Sequence, residues 1–320
     1  MYLLPRRRAW RCVSVAMLAS LFVIVSPSAQ QANDEAIFRA NVNLVALDVA
    51  VTDSSGMPVA GLPRDAFQAT VDGYPADIAL FDSTDAPLSV VAAFDQSRSM
   101  RPSWPALEQA ARVLTKLLRP VDELSIFTFN EHVAEQMPFE PAGDALVSRV
   151  DHALNTIRPD GQTAVIDAVR QAVDKATMGR RERRVVVLVS DGADTASHAR
   201  ERDLFEELER RSVAIYSVGL FGRGERGTDA RLLRKMAKTT GGAVVLEPDA
   251  ANLQERVENL FRTIRSRYFV AVKVESPSNG KPELRRIRIQ ARDQTGRRLR
   301  TQHRTEFLIG EMAGVGEAAQ

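Results

Sequence analysis

The chain has 320 residues, of which 44% are apolar and 26% charged, with 43 basic residues against 41 acidic ones. This composition excludes a chain that is disordered throughout. It leaves room for one large domain and a second, smaller structural unit. Because the charges nearly balance, net charge gives no indication of a partner. The single cysteine, Cys12, excludes an internal disulfide.

Residues 1–29 have the order of a secretory signal peptide. Four arginines within residues 6–11 precede an apolar run from Cys12 to Val25, and small residues continue to Ala29. The apolar run is shorter than the roughly 20 residues that span a bilayer. We therefore expect cleavage and export to the periplasm or beyond it, with an uncleaved membrane anchor as the alternative. The cleaved chain would have no thiolate nucleophile and no cysteine metal ligand.

Residues 36–84 have the pattern of a small β unit. Polar and apolar residues alternate over 37–53 and again over 67–82, with turn residues between the two segments and at Asp72-Gly73. We predict strands joined by tight turns in this segment.

From residue 85 to residue 266 the pattern alternates between strands and helices. Continuous Val and Ile runs between amphipathic segments predict a doubly wound α/β fold, with a mainly parallel sheet covered on both faces. The predicted strands are 89–94, 123–130, a short edge strand at 132–139, 184–190, 213–220 and 243–248, and the predicted helices are 105–118, 144–157, 163–177, 199–212, 228–240 and 251–266.

Strand patterns return over residues 267–310, at 268–275, 284–293 and 297–310, and 311–320 is predicted to be a loose tail. We expect these strands to lie beside the N-terminal ones in one β unit. Between Arg265 and Arg304 stand twelve basic residues against three acids. This charge is typical of the solvated face of an edge hairpin, where it blocks aggregation. The alternative is contact with anionic envelope lipid or an acidic protein; nucleic acid is excluded because the segment has no aromatic platform.

Oxygen-bearing side chains cluster at predicted strand ends. Asp95 ends the first strand of the α/β region, Ser97 and Ser99 follow at alternate positions, Thr163 begins a helix, and Asp191 follows a later strand. Ligands of open α/β sheets lie beyond the carboxyl ends of the strands, where the connectivity changes direction. Two carboxylates and three hydroxyls form a hard oxygen set that suits Mg²⁺ or Mn²⁺, with waters completing the shell.

The sequence DQSRS from Asp95 to Ser99, together with Thr163 and the SDG that contains Asp191, resembles the metal-ion-dependent adhesion site (MIDAS) of von Willebrand factor A domains. The resemblance covers about residues 87–265. The flanks, 43–73 and 266–274, are similar to a bacterial exported group described only as von Willebrand factor A-related. The resemblance implies a Rossmann-like sheet, no enzymatic activity, and cation-dependent binding of a protein ligand through a carboxylate. Arg98 stands where many members of the family have glycine.

Three other interpretations of the oxygen-bearing residues are open. They form a turn and helix-cap cluster, or the site is vestigial and the β strands bind the partner, or the chain is a metal-dependent phosphohydrolase of the haloacid dehalogenase type. Enzymes of this last type resemble D-x-D-x-T at the end of the first strand, and the second Asp protonates the leaving group. Here Ser97 stands at the position of that second Asp, and a serine hydroxyl cannot act as a general acid near neutral pH. Asp194 and Thr195 are expected to be loop or cap residues, and His303 and the other three histidines to be surface or satisfied residues.

Overall fold

The computed structural model describes residues 42–83, 85–220, 230–247, 249–277 and 281–310. The predicted signal peptide, residues 36–41 of the predicted N-terminal β unit, the predicted tail and residues 221–229 lie outside the described residues. The proposed domain boundaries therefore stay predictions. No helix among the described residues is both long enough and apolar enough to cross a membrane.

The α/β region contains a six-stranded sheet that is parallel except for one edge strand. Its order is β10-β9-β8-β5-β6-β7, and β7 is the antiparallel strand. These strands are β5 (Leu88–Asp95), β6 (Glu123–Phe129), β7 (Val133–Pro141), β8 (Arg183–Ser190), β9 (Ala214–Leu220) and β10 (Val244–Glu247).

Helices cover both faces of this sheet, which confirms the doubly wound fold. The helices are α1 (Trp104–Leu117), α2 (Leu146–Leu154), α3 (Val165–Thr177), α4 (Glu201–Leu208), α5 (Ala230–Thr240) and α6 (Leu253–Arg265). Side chains of α1, α2 and α6 form one core cluster, and side chains of α3, α4 and α5 form another on the opposite face.

The central strand β5 explains why two cores form. Each of its eight residues is buried. Val90 and Phe94 belong to the core under α1 and α6, whereas Val91 and Ala93 belong to the core under α3. Successive side chains of a strand point to opposite faces, so an uninterrupted apolar run needs cover on both sides.

The strand order creates a switch point between β5 and β8. The chain runs outward from β5 through β6 to β7, then returns to β8 on the other side of β5 and continues to β9 and β10. The loops that leave the carboxyl ends of β5 and β8 therefore diverge to opposite sides. A crevice at this position is the usual ligand site of such sheets.

The terminal segments of the chain form a second, antiparallel sheet, as expected from their alternating patterns. Its order is β3-β2-β12-β13-β1-β11-β4, with β14 paired to β12. The strands are β1 (Val42–Thr52), β2 (Phe67–Val71), β3 (Tyr74–Ala76), β4 (Ile78–Asp82), β11 (Arg267–Glu275), β12 (Glu283–Arg292), β13 (Arg298–Gln302) and β14 (Glu306–Ile309). Its core includes Val49, Tyr268 and Ile287.

The interpretation of the basic C-terminal strands as an edge hairpin is wrong. Strand β12 pairs with β2 and β13, and β13 pairs with β12 and β1, so both lie inside the sheet. The predicted strand segment 297–310 is also divided, because the buried ring of His303 interrupts it. Nε2 of His303 accepts a hydrogen bond from the Ile289 amide at 3.0 Å.

The antiparallel sheet contacts the amino ends of the parallel strands. Arg183, at the start of β8, lies 3.5 Å from a carboxylate oxygen of Asp48 in β1 and donates to the carbonyl of Ile264 at the end of α6. Gln302 donates to the carbonyl of Gly242, just before β10. The carboxyl ends, with the switch point, lie at the opposite edge of the sheet.

Candidate metal centre

The candidate centre begins with Asp95, the last residue of β5. Its side chain is fully buried. Oδ1 accepts the Ser97 amide at 2.9 Å, and Oδ2 accepts the Ser190 hydroxyl at 2.6 Å. Burial raises the pKa of Asp95 to about 6, and the nearby charge of Asp191 adds to the effect, although the bonds from Ser190 and Ser97 act in the opposite direction.

Two serine hydroxyls connect the loop after β5 to Asp191. Oγ of Ser97 lies 3.0 Å from Oγ of Ser99, and the Ser99 hydroxyl donates to Oδ2 of Asp191 at 2.7 Å. Because a serine hydroxyl has one proton, Ser97 is the donor between the two serines. The structure thus joins Asp95, Ser97, Ser99 and Asp191 through hydrogen bonds across the switch point.

Thr163 reaches this region through its main chain. Its carbonyl accepts the amides of Thr195 at 2.8 Å and Ala196 at 3.0 Å, and its amide donates to Oγ1 of Thr195 at 3.1 Å. Thr163 is 4% exposed. These bonds fix Thr163 against the loop that begins with Asp191, but none of them comes from its hydroxyl.

Main-chain hydrogen bonds also join the loop before Thr163 to the loop after β5. The Asp160 amide donates to the carbonyl of Gln96 at 2.9 Å, and the Arg98 amide donates to the carbonyl of Gly161 at 3.2 Å. The loop after β5, the loop before α3 and the loop after β8 are therefore joined by hydrogen bonds. They pack together at the carboxyl edge of the sheet.

Asp194 and Thr195 are cap and loop residues, as the sequence indicates. Oδ1 of Asp194 accepts the Ile166 amide at 3.3 Å and the Ser197 hydroxyl at 2.6 Å. The Ser197 hydroxyl in turn accepts the amide of Asp167 at 3.1 Å. Side chains of the loop after β8 thus accept hydrogen bonds from amides at the start of α3. The first amides of a helix need such acceptors because they have none within the helix.

Arg98 lies on the exposed rim and is paired within the chain. Its Nε donates to Oδ1 of Asp160 at 2.8 Å, and Nη2 of Arg101 lies 3.3 Å from the same oxygen. The bond and charge of Arg98 lower the pKa of Asp160. The guanidinium of Arg98 is therefore engaged beside the cluster.

Ser190 is a residue of this centre that sequence reasoning missed. Besides donating to Asp95, its hydroxyl accepts the Gly192 amide at 2.9 Å. The signal in the sequence is a polar residue that ends the apolar strand RVVVLVS. That signal is weak because serine also ends strands that have no ligand.

The donor set is chemically consistent with a hard cation. The five predicted residues supply only carboxylate and hydroxyl oxygens, which Mg²⁺ and Mn²⁺ prefer. Ser99 is exposed, whereas Asp95, Ser97, Thr163 and Asp191 are buried, so the cluster is reached from the Ser99 side. Among the described residues, no group of three or more His, Cys, Asp or Glu side chains is arranged to hold a metal, and the candidate centre itself has two such side chains, Asp95 and Asp191.

The fold and this cluster of oxygen-bearing side chains define a doubly wound α/β domain with a candidate cation site at its switch point. The model of the von Willebrand factor type A domain matches residues 89–259, just over half of the chain, and the chain belongs to this family. Members of the family are generally non-enzymatic interaction modules. No curated protein matches the sequence.

Three solved structures are similar to this chain at low sequence identity. The von Willebrand factor type A protein from Catenulispora acidiphila is 16% identical, with a TM-score of 0.51 over 85% of this chain and 74% of that chain. The ArnB paralog VWA2 from Sulfolobus acidocaldarius is 15% identical, with a TM-score of 0.46 over 84% and 76%. Proximal thread matrix protein 1 from the mussel byssus, with a zinc-occupied MIDAS motif, is 16% identical, with a TM-score of 0.47 over 60% and 48%.

Proposed function

We propose that this protein is an exported, non-enzymatic binding module that holds one divalent cation at the switch point and binds a protein ligand there. The observation that carries the proposal is the hydrogen-bonded cluster of Asp95, Ser97, Ser99 and Asp191, whose successive bonds measure 2.9, 3.0 and 2.7 Å. The first bond joins the Asp95 carboxylate to the Ser97 amide, and the other two join side-chain oxygens of two different loops. Side-chain oxygens held this close need little rearrangement to face a common ion.

The cation is Mg²⁺, or Mn²⁺ in its place, held by the four clustered residues and Thr163. Two carboxylates offset the charge of the ion, and three hydroxyls complete much of its shell without adding charge. The bound ion gives the buried carboxylate of Asp95 a positive partner, which a charge in a low-dielectric site requires. Waters occupy the remaining positions until a ligand arrives.

The ligand is a protein that offers a carboxylate. Three of the five proposed ligands are neutral hydroxyls, which donate weakly, so the ion can exchange one of its waters for a further anionic oxygen. The exposed side of the cluster at Ser99 gives access. The paired side chains of Arg98, Arg101 and Asp160 form part of the surrounding rim. Ligand binding is therefore expected to depend on the cation.

Export is proposed from the order of the N-terminal segment: arginines, an apolar run and then small residues. The expected mature protein begins near Ala29 and is found in the periplasm or outside the cell. Sequencing the amino terminus of the protein recovered from cell fractions tests this part. An intact amino terminus in the membrane fraction would favour the uncleaved anchor.

Isothermal calorimetry with Mg²⁺ and with Mn²⁺ tests the cation site. Wild type is expected to bind one ion per chain and Asp95→Ala none. Asp144→Ala, which removes an exposed carboxylate outside the cluster, is the control and should bind as wild type does. Equal affinity in wild type and Asp95→Ala would reject the site, provided that circular dichroism shows both to be folded.

A pull-down from envelope extract tests the ligand. Capture is expected to need the cation, so EDTA and Asp95→Ala should both abolish it while Asp144→Ala retains it. Capture that is unchanged in EDTA would assign partner binding to the β strands instead. Turnover of an aryl phosphate with Mg²⁺ that Asp95→Asn abolishes would favour the phosphohydrolase.

A further inference from the structure

The exposed side of β12 and β13 carries four arginines, which we call the arginine face: Arg288, Arg292, Arg298 and Arg300. All four are exposed, and they alternate with buried residues such as Ile289 and Leu299. Because side chains alternate across a strand, the four guanidinium groups share the outer side of the sheet.

The strand register places two of these charges directly opposite each other. Arg292 and Arg298 are direct cross-strand partners. The neighbouring strands contribute neutral residues at this position, since Arg288 is opposite Thr70 of β2 and Arg300 is opposite Thr52 of β1. No carboxylate stands at these cross-strand positions.

The four arginines also have no acidic partner, in contrast to their neighbours. Arg286 pairs with Glu306 at 3.1 Å, and Arg297 pairs with Asp293 at 3.0 Å. Within the described parts of the chain, no ion pair involves any member of the arginine face, and the one hydrogen bond from its side chains runs from Arg292 to the carbonyl of Gly296. The four positive charges are therefore uncompensated by the chain itself.

Stability does not explain this arrangement. Like charges directly opposite each other destabilise a strand pair. The arginines do not protect a sheet edge against aggregation either. Both strands are hydrogen-bonded to a neighbouring strand on each side. A cluster that costs stability and protects no edge calls for an anionic partner.

We propose that the arginine face docks onto the anionic phospholipid headgroups of a membrane surface. The planar guanidinium fork matches the oxygens of a phosphate, and a sheet presents such forks as a regular array. A protein partner would need an apolar or aromatic centre to its interface, and the outward positions of β12 offer only Leu284. The proposal does not depend on the cation site.

Vesicle sedimentation of the full chain tests the proposal. Wild type should bind vesicles of phosphatidylglycerol and phosphatidylcholine more tightly than vesicles of phosphatidylcholine alone, and rising salt should weaken the difference. Replacing all four arginines by glutamine should reduce the partition coefficient on anionic vesicles by roughly 100-fold or more, since each basic residue near an anionic surface contributes about fivefold. Residues 1–41 are common to both proteins, so their own contribution cancels.

A control variant carries the same loss of charge at exposed arginines of the α/β region. Its partition coefficient on anionic vesicles should be within a few fold of the wild-type value. The same result is expected for Asp95→Ala, which separates this proposal from the cation site. The control substitutions are Arg149→Gln, Arg202→Gln, Arg210→Gln and Arg262→Gln.

Two further measurements decide between lipid and other anions. Inorganic phosphate at millimolar concentration should leave vesicle binding largely intact, because a single anion does not reproduce the array. Equal vesicle binding by the arginine-face variant and wild type would overturn the proposal. So would arginine-dependent binding of soluble polyglutamate without vesicle binding, which would indicate an acidic protein partner.

The melting temperature of the arginine-face variant should be no lower than that of wild type, since substitution relieves repulsion. A large fall in melting temperature would assign the arginines a structural role instead.

Discussion

The hydroxyl of Ser99 donates a 2.7 Å hydrogen bond to Oδ2 of Asp191, and this bond spans the switch point between β5 and β8. Asp191 is 6% exposed, so it has little water to replace a lost donor. Ser99→Ala should therefore lower the free energy of unfolding in metal-free buffer by about 1–3 kcal/mol, the usual cost of leaving a buried group unsatisfied. Urea denaturation measures the change.

The same variant should bind Mg²⁺ more weakly. Mg²⁺ at a hundred times its dissociation constant should stabilise wild type by about 2.7 kcal/mol, and the same concentration should stabilise Ser99→Ala by less. Ser148→Ala, on the exposed side of α2, is the control for both measurements. A Mg²⁺-induced stabilisation in Ser99→Ala equal to that of wild type would contradict a ligand role for this hydroxyl.

Asp194→Ala should loosen the start of α3. The substitution removes the carboxylate that accepts the Ile166 amide, and loss of a capping acceptor costs about 1 kcal/mol. Hydrogen exchange should accelerate for the first amides of α3. Asp174→Ala removes an exposed ion pair near the other end of the same helix and should leave those amides unchanged. Equal protection in Asp194→Ala and wild type would show that the bond contributes nothing.

Gly161→Ala should destabilise the loop that carries Thr163. Gly161 has a φ of +89°, and a Cβ there would lie 2.0 Å from a carboxylate oxygen of Glu131, which accepts the Gln162 amide. The backbone strain alone costs about 1–2 kcal/mol, and thermal denaturation measures it. Gly143→Ala, where a Cβ meets nothing within 4 Å, should have little effect. If Gly161→Ala costs as much stability in a Glu131→Ala background as in wild type, backbone strain is the cause and the clash is not.

His303 should make the protein less stable in mild acid. Its ring is buried, Nδ1 donates to the carbonyl of Arg304 at 2.6 Å, and Nε2 accepts the Ile289 amide, which requires the neutral ring. Burial lowers the pKa of His303 below its ordinary value of 6.5. Its contribution to stability is therefore complete above pH 6.5 and is lost as the pH falls through the folded-state pKa, with a slope of up to about 1.4 kcal/mol per pH unit.

Urea denaturation between pH 7.5 and 5 tests this dependence. His303→Gln should show a shallower fall of stability with pH than wild type, because glutamine accepts the same amide without titrating there. His152→Gln, at an exposed position of α2, should follow wild type. Parallel curves for wild type and His303→Gln would exclude His303 as a source of the pH dependence.

Much of the parallel sheet was predictable from the sequence. Continuous apolar runs such as β5 and β8 indicate strands buried on both faces, and polar residues at their ends, Asp95 and Asp191, indicate a ligand edge. Helix periodicity placed α1 and α6 within one or two residues of their observed bounds. These features are local, because burial on one face or two dictates the spacing of apolar residues along the chain.

The candidate site was only partly predictable. The sequence indicates which residues stand at strand and helix ends, but the role of Ser190 and the capping of α3 by Asp194 arise from contacts between distant segments. The pKa of Asp95, raised to about 6, likewise depends on burial that the fold creates. Whether the cluster holds a cation stays a prediction that calorimetry decides.

The sequence by itself determined the alternation of strands and helices, the polar strand ends and the family. Only the tertiary structure decided that β12 and β13 lie inside a sheet and that Ser99 contacts Asp191. The physical reason is that apolar periodicity records which face of an element is buried, whereas the identity of its neighbour depends on how the whole chain packs.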